Sequence, residues 1–185
     1  VDAGVVTMAC FLSDSREIKQ LRNRVEALEK QLACLDTRDE SSGLLNQRGL
    51  FQVVESQVSR SRRYGNALSL ISMQINDYGA ANKDRDSVYE ALGYLFNDRL
   101  RWADSVGRTD DDEFVLVLPE TDAESAAVLV TKLGVELQTL RTKDVGTPVA
   151  LRASFGIAAW HEGDDPSRLL LRCQEDRQPP QVINQ

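Results

Sequence analysis

Two groups of charged residues stand close together in the chain. Arg101 and Asp104 are three positions apart, and Asp110-Asp111-Asp112-Glu113 forms an unbroken acidic run ahead of Phe114. A guanidinium is a rigid fork of donors that bonds bidentately and stacks on flat rings, whereas a carboxylate offers only acceptors. Together they can grip a planar ligand along one edge. The same pair at a helix end also makes a solvated ion pair worth under about 1 kcal/mol, so its spacing alone is weak evidence. The acidic run has different chemistry: its carboxylates suit a hard cation and repel an anion. One like-charge contact at about 4 Å costs roughly 4 kcal/mol at an effective dielectric near 20, about three orders of magnitude in affinity.

The segment Arg101-Trp-Ala-Asp104-Ser-Val-Gly-Arg108-Thr-Asp110-Asp111-Asp112-Glu113-Phe114 resembles the signature of the diguanylate cyclase (GGDEF) family: Arg-x-x-Asp, five residues, then Gly-Gly-Asp/Glu-Glu-Phe. Asp39-Glu-Ser-Ser-Gly-Leu-Leu-Asn-Gln-Arg48 is similar to the family's Asp-x-Leu-Thr-Gly-Leu-x-Asn-Arg-Arg, and Ser154-Phe-Gly-Ile-Ala158 to its Ser-x-Gly-Ile-Ala strand. The likeness runs from about Asp39 to Ile157. It implies an α/β (α+β) fold, a ferredoxin-like antiparallel sheet of the nucleotidyl cyclase palm type with helices packed on it.

The resemblance further implies a damaged catalytic half. Active members join two GTP molecules, held by facing subunits, into cyclic di-GMP. Their first metal-binding aspartate opens an Asp-x-Asp-x-Phe-Lys segment, which here reads Gln74-Ile-Asn-Asp-Tyr-Gly79. Gln74 keeps an oxygen and loses the charge a hard cation favours. Gly79 stands at the phosphate-contacting lysine. Asp110 and Asp111 replace both glycines, whose small size lets backbone approach phosphate and whose freedom suits a hairpin tip. Asp tolerates such turns, so the fold survives while a triphosphate meets repulsion. Asp112 keeps the second metal position, with Glu113 after it. The family's guanine-contacting pair corresponds to Asn82 and Asp86, joined by a loop several residues shorter than usual. Its final helix carries a lysine and an arginine for phosphate, whereas Cys173-Gln-Glu-Asp-Arg-Gln-Pro-Pro180 is shortened and broken by proline. No catalytic residue set is intact: Gln74, Asp110, Asp111, Asp112 and Glu113 are degenerate positions.

The regulatory half is retained. In the family, Arg-x-x-Asp is an inhibitory site for cyclic di-GMP. The resemblance places Arg101 at the end of the helix that begins near Val88 and Asp104 just beyond it. An arginine fork bonds guanine O6 and N7, and a carboxylate accepts from N1 and N2, a pattern adenine cannot imitate. Lys132, on the next helix, matches a secondary position where some members place arginine.

Hydrophobic periodicity supplies the elements that must position these groups. Ile18, Leu21, Val25, Leu28, Leu32 and Leu35 recur at steps of three and four, an a/d seam for a parallel two-stranded coiled coil. Glu17 facing Arg22 and Arg24 facing Glu29 across the dimer fit it; an amphipathic helix packed on its own domain is the plainer alternative. Next comes a helix ending at Arg62-Arg63-Tyr-Gly65, a strand over Leu68–Ile75, and a helix with Val88, Ala91, Leu92, Leu95, Phe96 and Leu100 on one face. Phe114–Leu118 reads as a buried strand stopped by Pro119. Thr121-Asp-Ala-Glu124 reads as a capping box opening a helix to about Leu140. Val149, Leu151, Ala153, Phe155 and Ile157 alternate as a strand. The order βαββαβ predicts an antiparallel sheet with helices on one face. Residues 1–12 read as the trailing strand of an upstream PAS-like sensor domain or as disordered chain, 13–38 as the coiled-coil signalling helix, and 39–185 as the degenerate domain.

Composition bounds the rest. The chain has 185 residues, 42% hydrophobic and 28% charged, enough for one ordinary core. A net charge of −7 argues against a generic nucleic-acid or anionic-membrane surface. Cys10, Cys34 and Cys173 have no metal spacing and read as reduced thiols of a cytoplasmic protein. His161 reads as an ordinary loop histidine. No apolar run reaches the ~18–20 residues of a membrane span, and no signal peptide is visible; a membrane anchor elsewhere in a larger protein stays open. Within these bounds the resemblance implies a catalytically inactive, dimeric cyclic di-GMP receptor needing no cofactor, with magnesium only if residual cyclase activity exists. A nucleotide-independent dimerisation or protein-interaction module, and a weak diguanylate cyclase, are the alternatives.

Overall fold

The computed structural model describes residues 24, 36–39, 41–79, 85–110, 112–141 and 149–178. Residues 37–185 form one compact unit, distinct from residues 1–36. Of the segment 13–38, Arg24 is helical and exposed, whereas residues 36–38 are not helical and Arg38 forms an isolated bridge with Leu45; the seam and the PAS-like strand lie outside the described residues.

Among the described residues of the 37–185 unit, eight elements follow in order: α1 (Gln47–Tyr64), β1 (Leu68–Asp77), α2 (Arg85–Arg99), β2 (Ser105–Asp110), β3 (Glu113–Pro119), α3 (Ala123–Leu137), β4 (Arg152–Ala159) and α4 (Pro166–Glu175). The strands form one antiparallel sheet in the order β2-β3-β1-β4, the expected ferredoxin-like arrangement. Local chemistry sets the helix ends. Asn46 caps α1 by accepting from the Gly49 N–H at 2.9 Å, and Gly65 stops it at φ 69° with its N–H on Ser61 O. Asp165 caps α4, where a proline fits the first turn because its missing N–H has no helical partner to lose.

The helices cover both faces of the sheet, not one. Ile71, Met73, Ile75, Phe114, Leu116 and Leu118 pack against Val88, Leu92 and Phe96 of α2 and Ala126, Leu133 and Leu137 of α3. Leu68, Leu70, Val115, Val117 and Ala158 pack instead against Leu50, Val54 and Val58 of α1 and Leu169 and Cys173 of α4. Successive residues of a strand point to opposite faces, so the nearly continuous apolar runs of β1 and β3 need a cover on each side. The βαββαβ pattern accounts for α2 and α3 alone; α1 and α4 flank it and supply the second layer.

Three boundaries move. The cap of α3 is Asp122, whose carboxylate accepts from the Ser125 N–H at 2.8 Å, while the Thr121 hydroxyl turns back to Pro119 O. That helix ends at Leu137, and Leu140 forms an isolated bridge with Val149 ahead of β4. The second helix ends at Arg99, so Arg101 lies beyond it in the following turn.

Candidate functional site

The strand β2 joins the two charged groups and holds them apart. Arg101 and Asp104 precede it and the acidic turn follows it, a separation of about 20 Å for a six-residue strand.

At the acidic end, Asp110 pairs with Glu113 across a two-residue hairpin tip, and the structure of Asp111 is not described. Asp112 and Glu113 point to opposite faces of the sheet. On the α2 face, Asp112 accepts from the hydroxyls of Tyr78 and, at 2.9 Å, Tyr89, and pairs with Arg85 at 3.4 Å. Burial, with the neighbouring carboxylate, pushes the Tyr78 hydroxyl well above the ordinary tyrosine range, and burial also raises Tyr89, so both remain neutral donors. Arg108 extends the network: its guanidinium lies 3.9 Å from the centre of the Tyr89 ring and 3.3 Å from Asp39. Burial alone would raise the Asp39 carboxyl, but hydrogen bonds from Ser42 and Ser41 and the charge of Arg108 bring it down to about 2.

On the α4 face, Gln74 and Glu113 face each other in register across β1 and β3. Arg177, just past α4, reaches both. Its Nη1 donates to Gln74 Oε1 at 2.8 Å and its Nη2 to Glu113 Oε1 at 2.6 Å. Gln174 donates to the same Glu113 oxygen at 2.7 Å. The arginine and glutamate side chains are 21% and 14% exposed, so solvent screens this pair only in part.

The residues present do not fit the divalent cation of the family's active members. Gln74 is neutral and already accepts from Arg177, and Asp112 is turned to the opposite face by two tyrosines and an arginine. Among the described residues no group of three His, Cys, Asp or Glu could hold a metal. Gly79 sits at φ +54°, and a Cβ there would lie 2.9 Å from Ala150 O, so a lysine cannot replace it without moving backbone. Asp86 is exposed in the first turn of α2, and Asn82 lies outside the described residues.

The other end of β2 has a different character. Asp104 Oδ2 accepts from the Arg101 backbone N–H at 2.9 Å, and the Asp104 N–H donates to Arg101 O at 3.0 Å. Both bonds use the backbone of Arg101, so the simple Arg–Asp ion pair is absent. Among the described residues the Arg101 guanidinium makes no hydrogen bond or ion pair, and it is exposed. Asp104 is half-buried; that burial raises its carboxyl above the usual aspartate range despite the amide and charge of Arg101. Trp102, between them, is 99% exposed. Lys132 is exposed on α3, one turn before Glu136, which clamps Arg99 at 2.8 Å beside this turn. Arg85, Arg108, Arg177 and the two tyrosines escaped the sequence reading, because their partners lie far away in the chain. Trp102 was legible as the middle of Arg-x-x-Asp, but its exposure was not.

Residues 36–176 match the family described as diguanylate cyclase, GGDEF domain. The diguanylate cyclase DgcP of Pseudomonas aeruginosa is 27% identical over 166 residues, covering 82% of this chain and 25% of that protein; the chain thus spans a quarter of that relative's length. The diguanylate cyclase SiaD of Pseudomonas aeruginosa, solved with its activator SiaC, aligns with a TM-score of 0.68 and 21% identity over 94% of this chain and 71% of that one. The GGDEF domain of DgcB from Caulobacter crescentus, solved in complex with c-di-GMP, aligns at 0.66 and 17% identity over 75% and 84%. At these identities the structural likeness is one of fold.

Proposed function

The chain belongs to the GGDEF diguanylate cyclase family, and on that premise we propose that this member receives cyclic di-GMP and does not make it. The observation that carries the reading is the contrast between its arginines. Arg85 and Arg177 are bound to Asp112 and Glu113, and Arg108 to Asp39, whereas Arg101 projects into solvent beside a carboxylate pinned by backbone.

A guanidinium spent on Glu113 or Asp112 is not available to a triphosphate, and those carboxylates are not available to a metal. This supports a silent catalytic end. At the other end, the donors of Arg101 meet guanine O6 and N7 without first breaking an internal contact. Asp104 is held by its own turn, so little side-chain freedom is lost on binding. Lys132 adds a point charge suited to a phosphate oxygen, without the planar fork of arginine. Asn82 and Asp86 are read as remnants of a guanine contact. In this proposal a coiled-coil dimer, formed through residues outside the described set, carries the bound state to an attached partner. For that the ligand must bind one arrangement of the dimer better than another.

Calorimetry on the whole chain tests the reading, with cyclic di-GMP and GTP–Mg²⁺ as parallel titrants. Heat is expected with cyclic di-GMP alone, and the double change Arg101→Ala, Asp104→Ala should abolish it without moving the thermal midpoint by more than a few degrees. Absence of heat at high micromolar cyclic di-GMP would sink the receptor reading. Product formation from GTP, lost on Asp112→Ala, would instead establish a weak cyclase.

A further inference from the structure

Tryptophan is highly buried on average, because its large ring is costly to leave in water. Trp102 is the extreme exception here: 99% exposed at the crest of the turn between Arg101 and Asp104. The fold does not use it. Leu100, two residues earlier, packs against the core, and the turn is closed by the two bonds between Asp104 and the backbone of Arg101. The indole contributes to neither. A flat apolar ring is thus presented by a turn whose shape is set without it, next to an exposed guanidinium.

We propose that Trp102 supplies the stacking face of the cyclic di-GMP site, covering the plane of one guanine while Arg101 reads its edge. The inference rests on the receptor reading above and adds a second mode of contact to it. Edge and face do different work. Hydrogen bonds to O6 and N7 distinguish guanine from adenine. Stacking is indifferent to the base, because every base has a π-face. Trp102 therefore sets affinity and Arg101 sets selectivity.

The chain offers its own reporter. It has two tryptophans, Trp102 and Trp160, and the Trp160 indole nitrogen is buried. Red-edge emission consequently reports Trp102. Titration of the whole chain with cyclic di-GMP should quench that emission, and the quench should vanish in Trp102→Phe while calorimetric affinity stays within about threefold, since the phenyl ring still stacks. Trp102→Ala should weaken binding by about tenfold or more, with an unchanged melting midpoint. Cyclic di-AMP should bind weakly to all three proteins. If wild type binds cyclic di-GMP calorimetrically but Trp102→Ala binds within about twofold and the emission does not move, stacking is wrong and the receptor reading stands. If wild type takes up no cyclic di-GMP, both fall. If Trp102→Ala changes self-association in the absence of ligand, the indole is a protein contact and the stacking proposal is overturned.

Discussion

Arg177 delivers a fixed positive charge to Gln74 and Glu113. A glutamine at position 74 suits a guanidinium donor, and Glu113 suits its second nitrogen. The pair is only partly exposed, so removing one member leaves the other incompletely solvated. Arg177→Met should lower stability by about 2 kcal/mol in urea unfolding, within the range for hydrogen bonds to charged groups. Glu113→Gln should cost less, because Gln174 still supplies a donor. A double-mutant cycle between positions 177 and 113 should return a coupling of about 1 kcal/mol or more, since the two touch. A coupling near zero would mean that the contact contributes nothing to the folded state.

At the scale of elements, the turn at Asp39 is fastened to β2 through Arg108, and Arg108 lies in turn against Tyr89 of α2. One guanidinium thus ties the entry of the domain to two of its elements. Its side chain is 12% exposed, which makes the loss of its partner costly. The Asp39 carboxyl is held at about 2, below its ordinary value of 3.8. A depressed carboxyl contributes stability that is present above its unfolded value and is lost as pH falls through the folded one. Stability should therefore decline between about pH 4 and pH 2. Asp39→Asn should flatten that part of the acid-unfolding curve and cost about 2 kcal/mol at neutral pH, because Arg108 loses its charged acceptor. An unchanged acid slope in Asp39→Asn would assign the pH dependence to other carboxylates.

For the molecule as a whole, β2 separates an end where Asp112 and Glu113 are paired with arginines from an end that leaves an arginine and a tryptophan in water. On the receptor reading, repair of the first end takes more than one or two residues. The combined changes Gln74→Asp, Asp110→Gly and Asp111→Gly should yield no cyclic di-GMP from GTP with Mg²⁺ or Mn²⁺, measured by chromatography of the product. An aspartate at position 74 would meet Arg177, and Asp112 would still face Tyr78 and Tyr89. Adding Gly79→Lys should lower stability by about 1 kcal/mol or more, because that residue sits at φ +54° against Ala150 O. Robust turnover by the three-residue variant would show that the internal cations yield easily to substrate.

Local patterns in the chain were enough for the family, the four-stranded sheet and the two charged groups. Strand periodicity, capping residues and motif spacing are short-range, and short-range information is written in consecutive residues. Gln74 and Gly79 could be recognised as departures for the same reason. The two-sided helix cover could not be read from the βαββαβ order, since it depends on where α1 and α4 dock. The partners of the acidic residues were equally out of reach. Arg177 meets Gln74 across 103 positions of chain, and Arg108 meets Asp39 across 69. The sequence by itself determined which charges this protein carries; the tertiary structure decided which of them cancel. Only folding brings distant groups within the few ångströms at which a charge is neutralised, and only there does Arg101 emerge as a cation with no internal acceptor among the described residues.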